Sequence, residues 1–305
     1  MTESTKDIAT PLQMRLKHKA KEMNRPYGEI LQYYGIERFL YRLSKTHHAE
    51  HFILKGGLVF HIWEISLRRP TKDIDFRGYL DNSRENILQV IKDVIAIPFS
   101  EDGIVFDPDS IVVEETQIDA DYDGIRASFL GHLGRSRIPM QIDIGFSDEI
   151  ASKAELVEYP VLLNNMKGAQ LKGYPKESVI SEKFHAMVVL GELNSRLKDY
   201  YDIWLISEMF EFDDQMLQKA IEKTFTKRQT EIPNEKPVGL TIEFSKANRT
   251  KWKNFLNKFS LQNNAIEDFV EVANSIWFFL EYPVQISLKG NSSKHLHWYP
   301  RRGWK

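Results

Sequence analysis

The sequence predicts an α+β protein in which an α/β unit over residues 1–165 precedes a helical unit over residues 166–305. Strand-like patterns lie almost entirely before Tyr159-Pro160. The apolar residues that follow repeat with a helical period. In addition, the 305 residues are 42% apolar and 28% charged, which suits one large or two ordinary domains and excludes a disordered or collagen-like chain.

Helical and strand-like patterns alternate in the first unit. Four segments are typical of helices: 11–23, 27–44, a short one between Gly57 and Ile65, and one that runs from an N-cap at Ser83 to Ile97. Four others are typical of strands: Asp73–Phe76, Ile111–Gln117, Gly124–Leu130 and Ile138–Phe146. The stretch DADYDG between the second and third of these strands is typical of a turn.

The second unit has five segments with helical periodicity: 177–190, 196–210, 213–227, 248–259 and 264–281. Gly191 and Asn194-Ser195 separate the first two segments, which predicts a helical hairpin. Asp199 and Asp202 are three residues apart and share one helix face, where they could meet Lys183 across the hairpin. On spacing alone, an ordinary ion-pair network between the helices explains these three residues.

The net charge of −2 conceals a strong local segregation of charge. Between Lys92 and Arg126 there are ten acidic residues and no Lys or Arg, whereas the tail from Tyr282 onward has no acidic residue. The tail combines basic residues with His295, His297 and aromatic side chains. Such a composition can bind nucleic-acid phosphates and stack on bases. A flexible, solvated end explains the tail equally well.

Several classes of protein are excluded by what the sequence lacks. There is no cysteine, hence no disulfide, thiolate nucleophile or Cys-based zinc site. The motifs of P-loop enzymes, common serine hydrolases and HExxH zinc hydrolases do not occur. No apolar run approaches the ~20 residues of a membrane span, and no secretory signal is recognisable. We therefore expect a cytoplasmic protein.

The sharpest chemical signal is Gly56-Gly57 followed by Asp73-Ile74-Asp75. Alternate residues of a strand project to the same face, so Asp73 and Asp75 present two carboxylates that repel each other unless a cation such as Mg²⁺ lies between them. The two glycines let the backbone approach a ligand and turn its amides toward phosphate oxygens, where the following helix N-terminus adds its dipole. A DxD also occurs by chance on surface strands, but the upstream diglycine favours the metal site.

Asp143 lies within the apolar strand segment QIDIG. An unpaired carboxylate would be costly to bury there. If this strand lies beside the strand of Asp73 and Asp75, Asp143 becomes a third metal ligand. Three acids with a phosphate-binding turn make a two-metal nucleotidyl-transfer site. Alternatively, Asp143 lies on an edge strand and caps a turn at Gly145.

Several longer segments resemble the AbiEii/AbiGii toxin family of nucleotidyltransferases. They include HFILKGGLVFHIW, RRPTKDIDFRG, RIPMQIDIGFSDEI and YPKESVISEKFHAMVVLGELNSRLKDYYDIW, and the likeness extends in order over residues 12–280. The resemblance implies a DNA-polymerase-β-like palm, a mixed sheet with helices, followed by a helical C-terminal domain. It also implies the toxin half of a bacterial toxin–antitoxin or phage-defence (abortive-infection) pair, and hence a cognate antitoxin encoded nearby.

The resemblance further implies that the three acids of the first unit are catalytic metal ligands. Asp73 and Asp75 would hold two Mg²⁺ ions. Asp143 would ligate the ion that activates the acceptor hydroxyl, and it would act as the base for that hydroxyl. The reaction implied is transfer of a nucleotidyl group from an NTP with release of pyrophosphate.

Nucleotide-binding roles follow from the same resemblance. Lys183 would balance the triphosphate charge in the transition state. Asp202, together with Asp199, would orient Lys183 or contact the nucleotide. Many members carry Gly-Ser where this chain has Gly56-Gly57, so here backbone amides must bind the phosphate, with Thr71 as a further candidate.

The predicted acceptor is RNA, in particular the acceptor end of transfer RNA, because relatives of this family modify it. A small-molecule or protein nucleotidyltransferase is an alternative with the same chemistry, and a catalytically silent antitoxin-binding module is one of a different class. The intact candidate residues argue against the silent module. Since acids repel RNA, we expect the segment 93–125 to lie away from the active site, as a solvated rim or facing a basic partner.

Overall fold

A computed structural model describes residues 3–63, 65, 69–119, 122–146, 153–263, 265–290 and 295–305. These residues form two compact units. The first comprises the described residues up to 65, from 70 to 146 and from 154 to 174, and the second comprises Arg69, Lys153 and the described residues from 175 onward. The predicted boundary at 165 precedes the strand Ala169–Gly173, which belongs to the first unit because it pairs with Phe52–Lys55.

The first unit is built on a seven-stranded mixed sheet. Its strands are β1 (Phe52–Lys55), β2 (Ile74–Gly78), β3 (Ile104–Asp119), β4 (Tyr122–Leu133), β5 (Ser136–Gly145), β6 (Glu155–Tyr159) and β7 (Ala169–Gly173). They are arranged in the order β3-β4-β5-β2-β1-β7-β6. Strand β2 is therefore central, parallel to β5 on one side and antiparallel to β1 on the other.

One face of this sheet packs against helices. The helices of the first unit are α1 (Glu3–Glu22), α2 (Tyr27–Leu43), the single turn α3 (Val59–Ile62) and α4 (Arg84–Ile95). Ile74 of β2 and Ile142 of β5 are register partners, and both belong to the buried core that includes α1, α2 and α4. Because side chains alternate along a strand, Asp75 and Asp143 face the opposite side. As predicted, Ser83 caps α4, with Oγ accepting from the Asn86 N–H at 3.4 Å.

The second unit is mainly helical. Its helices are α5 (Lys176–Leu190), α6 (Leu197–Met209), α7 (Asp214–Lys227), α8 (Ile242–Ala247), α9 (Arg249–Lys258) and α10 (Phe269–Lys289). The predicted break between α5 and α6 is confirmed, with Gly191 in a left-handed conformation (φ +46°) directly after α5. Helix α10 begins later than predicted because Asp268 caps it, accepting from the Val270 N–H at 3.0 Å. The short helix α8 was not predicted.

The described part of the C-terminal tail is folded. Strands β8 (Phe212–Asp213), β9 (His297–Tyr299) and β10 (Gly303–Trp304) form a small antiparallel sheet. The Trp298 indole is buried and donates to the Ser207 carbonyl at 2.8 Å. The Trp304 indole stacks on Phe279. A flexible end is therefore a wrong description of residues 295–305, and these two indoles pack within the protein instead of offering themselves to bases.

The predicted α+β class is confirmed by the mixed sheet and the helices around it. Strands β3 and β4 form the predicted hairpin, although the centre of its turn, residues 120 and 121, lies outside the described residues. Within the part of the chain that the structure describes, no helix has both the length and the apolar character needed to cross a membrane.

Candidate active site

Charged side chains form a row across four strands of the sheet. Lys55 on β1 is the register partner of Asp75 on β2, Asp75 is the partner of Asp143 on β5, and Asp143 is the partner of Arg126 on β4. Register partners on neighbouring strands point to the same face, so the four side chains lie side by side opposite the core. Asp73 directly precedes β2 and lies two residues from Asp75. Strand β5, which contains Asp143, therefore lies beside the strand of Asp75, as a role of Asp143 as third metal ligand requires.

Arg126 neutralises the buried carboxylate of Asp143. Its Nε and Nη2 donate to the two oxygens of Asp143 at 2.7 and 2.9 Å, and Gln141 donates to the same carboxylate at 3.2 Å. The hydrogen bond to Asp143 raises the pKa of Arg126 above its ordinary value, and the charges of Asp143, Asp73 and Asp75 act in the same direction. The sequence reasoning missed Arg126. The sequence does contain a signal for this pair. A carboxylate inside an apolar strand requires a partner, and Arg126 lies in the preceding predicted strand.

The diglycine turn lies directly against the acidic pair. Gly56 has φ +68°, and a Cβ added there would be 1.9 Å from Asp75 Oδ2. A Cβ added at Gly57 would be 2.2 Å from Thr71 Oγ1. Thr71 is held by its N–H, which donates to the Tyr33 hydroxyl at 3.1 Å. Among the described residues, the buried Thr71 Oγ1 has no hydrogen-bond partner. The turn thus brings a backbone, a carboxylate and an unsatisfied hydroxyl together.

The second unit has its own buried charge cluster. Lys183 Nζ on α5 lies 2.6 Å from Asp199 Oδ1 and 2.9 Å from Asp202 Oδ2, both on α6. Arg69 donates through Nε and Nη2 to the two oxygens of Asp202 at 3.1 and 3.0 Å. Arg196 Nε lies 2.7 Å from Asp199 Oδ2. The predicted meeting of Lys183 with both acids is confirmed. Arg69 and Arg196 are additional members of the cluster.

Lys183 is an ammonium ion at neutral pH. Burial disfavours its charge, but Asp199 and Asp202 outweigh burial and raise the pKa of Lys183 above its ordinary value. Burial likewise opposes the charge of Asp199, yet Lys183 and Arg196 lower its pKa below the ordinary value. The contribution of Asp199 to stability is therefore lost only as the pH falls through this lowered pKa, and that of Lys183 only as the pH rises through its raised pKa. Lys183 can stabilise negative charge but cannot accept a proton.

The family described as the nucleotidyl transferase AbiEii toxin of type IV toxin–antitoxin systems matches residues 38–275. This range covers most of the chain. The chain belongs to the AbiEii family. It is accordingly a nucleotidyltransferase of toxin–antitoxin type, as the resemblance implied.

Two solved structures are similar to the AbiEii protein. A candidate nucleotidyltransferase from Helicobacter pylori is 15% identical, with 84% of this chain and 94% of that chain covered and a TM-score of 0.46. The Helicobacter pylori protein JHP933 is 13% identical, with 83% and 90% covered and a TM-score of 0.47. No curated protein matches the chain.

The predicted site residues of the AbiEii protein fall into two groups. Those of the first unit meet around the diglycine turn and the central strands: Gly56, Gly57, Thr71, Asp73, Asp75 and Asp143. Those of the second unit meet in the buried charge cluster: Lys183, Asp199 and Asp202. Arg126 joins the first group and Arg69 and Arg196 join the second, so each group balances carboxylates with arginine.

Proposed function

We propose that this AbiEii protein transfers a nucleotidyl group from an NTP to an acceptor hydroxyl and releases pyrophosphate. The observation that supports this most strongly is the register of β2 and β5, which sets Asp75 beside Asp143 with Asp73 close by. Carboxylate oxygens are the donors that Mg²⁺ prefers, and the repulsion among three acids fits a pair of divalent cations. Mg²⁺ bound by these residues would activate the acceptor hydroxyl and neutralise the triphosphate.

Arg126 sets a condition on this site. Because it donates to both oxygens of Asp143, Arg126 competes with a cation for the lone pairs of this carboxylate, and it would free them by turning away. The side chain of Arg126 is 41% exposed, so it has room to do so. A guanidinium group can bind phosphate in a bidentate way, through two parallel hydrogen bonds. We therefore propose that Arg126 exchanges Asp143 for a phosphate of the NTP.

The diglycine turn is the proposed phosphate-binding element. Helix α3 is a single turn, so its dipole adds little to phosphate binding. The backbone amides of Gly56 and Gly57 would therefore donate the main hydrogen bonds to the phosphate. Thr71 Oγ1 lies where a side chain at position 57 would begin. We propose that this hydroxyl takes the place of the serine that many members of the family carry there.

Lys183 is proposed to balance the negative charge of the triphosphate, and Asp199 and Asp202 are proposed to orient the Lys183 side chain. The ammonium of Lys183, held in place by two carboxylates and kept charged by them, supports this role. The alternative is an ion-pair network that only stabilises the helical unit. Substitution of Lys183 separates the two.

Lys183→Ala is expected to lower the free energy of unfolding by about 3 kcal/mol, because two buried carboxylates lose a partner, and to lower turnover by about 100-fold. Lys183→Arg should recover most of the stability but only part of the turnover, since a planar guanidinium cannot replace a compact ammonium. Urea unfolding and initial rates measure the two effects. Lys223→Ala, an exposed lysine on α7, is the control. Equal turnover of Lys183→Arg and the wild type would support the purely structural network.

We propose that the acceptor is RNA, at the acceptor end of transfer RNA, and that the protein acts in the cytoplasm. A cognate antitoxin would restrain the activity that arrests growth or defends against phage. The toxin–antitoxin family supports an antitoxin partner. A small-molecule or protein acceptor is the second candidate. The burial of Trp298 and the stacking of Trp304 within the protein shift any RNA contact of the tail toward its basic residues.

A binding titration tests the proposed site before any acceptor is known. An NTP analogue with a methylene between its α- and β-phosphates is titrated calorimetrically, with and without Mg²⁺. We expect binding that requires Mg²⁺ and is lost in Asp73→Asn, with Asp109→Asn, an exposed acid of β3, as the control. Binding that is independent of both Mg²⁺ and Asp73 would contradict the proposed metal site.

The acidic segment 93–125 is not one uniform surface. Asp102 is buried and paired with Arg42, whereas Glu115 is exposed and pairs with Arg84 at 3.0 Å. Glu114 is the register partner of Arg126, which places it about two strand spacings, ~10 Å, from Asp143. One acid of the segment therefore lies nearer the proposed site than we expected.

The triple substitution of Glu101, Asp109 and Glu115 by lysine is expected to change NTP affinity less than about twofold, because all three side chains are exposed and salt screens exposed charges. The calorimetric titration measures this, with Glu114→Lys as a comparison that should have a larger effect. A tenfold change in the triple variant, or RNA crosslinks to Glu115, would show that the acidic segment belongs to the substrate face.

A further inference from the structure

Three side chains with metal-binding atoms converge on the small sheet of the second unit. Asp213 on β8, His297 on β9 and His295 just before β9 each offer one ligand atom, and these atoms lie within 4.8 Å of one another. All three residues lie in the second unit.

The backbone holds these side chains together. Asp213 and His297 are register partners. Both backbone polar groups of His297 bond to Lys305, at 2.9 Å each, so its pairing with Asp213 is of the non-hydrogen-bonded kind, in which side chains approach closely. His295 lies two residues earlier, and its ring centroid is 4.9 Å from that of His297.

The Asp213 carboxylate is held in place because it also caps a helix. Its Oδ1 caps α7, accepting from the Met216 N–H at 2.9 Å. Its Oδ2 lies 3.0 Å from Nε2 of His295. One oxygen thus orients the carboxylate while the other faces the imidazoles.

His295 is oriented by a buried carboxylate. Its Nδ1 lies 2.7 Å from Oδ1 of Asp214, which is 1% exposed, and Oδ2 of Asp214 accepts from the Leu296 N–H at 2.9 Å. With Nδ1 donating to Asp214, the lone pair of Nε2 faces Asp213. A carboxylate that holds the far nitrogen of an imidazole in this way is the usual support of a metal-ligating histidine.

We propose that Asp213, His295 and His297 bind Zn²⁺ or a similar first-row transition ion, with water as a fourth ligand. Two imidazoles and one carboxylate suit such an ion and not Mg²⁺. Both histidines are exposed, so the ion can enter. Once bound, it ties the C-terminal strands β9 and β10 to the start of α7. The alternative occupant is a proton, with a charged His295 bridging Asp213 and Asp214 and no metal. The proposal does not depend on nucleotidyl transfer.

The test uses the full chain, freed of metal by a chelator and then titrated with Co²⁺ and with Zn²⁺. We expect one equivalent of Co²⁺ to give visible absorption bands of a four-coordinate ion, and Zn²⁺ at ~100 times its Kd to raise Tm by roughly 5 °C. Asp213→Asn keeps the cap, and His297→Gln keeps the fold of the strand. Both should lose the bands and the shift in Tm while their metal-free Tm stays that of the wild type.

His51→Gln, at a partly exposed histidine of the first unit, is the control and should behave as the wild type. Loss of Co²⁺ binding in His51→Gln, with full binding in His297→Gln, would place the ion elsewhere and overturn the proposal. The absence of any bands or shift in the wild type would also overturn it, in favour of the protonated bridge.

Discussion

Asp75→Asn is expected to lower nucleotidyl transfer by about 1,000-fold or more, because it removes one of the three proposed carboxylate ligands of the metal ions. The asparagine has the same size, so it fits against the Gly56 backbone, where the Asp75 carboxylate lies. It removes repulsion with Asp143 but also attraction to Lys55, the register partners of Asp75 on either side, so the free energy of unfolding should change little. Initial rates with labelled NTP and urea unfolding measure the two effects.

The control for this substitution is Asp109→Asn, which changes an exposed acid of the same unit. It should keep full turnover. Asp75→Ala should behave like Asp75→Asn in turnover, since the loss is one of charge and ligand atoms, not of packing. A variant of Asp75 that keeps near-normal turnover would remove the proposed metal site.

Gly56→Ala is expected to lower turnover by about 100-fold, because the added methyl group must displace the Asp75 carboxylate or the turn itself. Its Cβ would lie 1.9 Å from Asp75 Oδ2, and φ is +68°, a conformation that costs a non-glycine residue about 1–2 kcal/mol. Turnover and unfolding in urea are both measured. We expect a loss of stability of at least that size, because the steric displacement adds to the cost of the positive φ.

Gly28→Ala provides the matched control. Gly28 lies in α2, and a Cβ added there meets nothing within 4 Å. Because alanine favours a helix over glycine by about 1 kcal/mol, this variant should be as stable as the wild type or more so, with full turnover. Equal turnover of Gly56→Ala and Gly28→Ala would show that the close approach of the turn to Asp75 is not needed for the reaction.

Local patterns in the sequence predicted many of the helices and strands and several of their ends. Ser83 marks the start of α4, and Gly191 marks the end of α5, because caps and glycine turns are decided by neighbouring residues. Strand β1 was not predicted, since three of its four residues are apolar in succession and show no alternation. The tail strands β9 and β10, of three and two residues, have no period at all.

The candidate site was predictable in its acids but not in their partners. Asp73 and Asp75 follow from strand periodicity. Asp143 required the assumption that β5 lies beside β2, which no local pattern encodes. Arg126 and Arg69 pair with carboxylates that are 17 and 133 residues away. Such pairs depend on strand order and on helix packing, which a single sequence does not display.

The central claim is that Asp73, Asp75 and Asp143 support transfer of a nucleotidyl group. The position of the transferred label tests this claim most directly. The protein is incubated with Mg²⁺, total cellular RNA and each NTP, labelled in parallel at the α- or at the γ-phosphate. We predict that the acceptor gains the α-label and not the γ-label, that labelled pyrophosphate is released from the γ-labelled NTP, and that Asp75→Asn yields neither product. Transfer of the γ-label, or α-label transfer that persists in Asp75→Asn, would contradict the account.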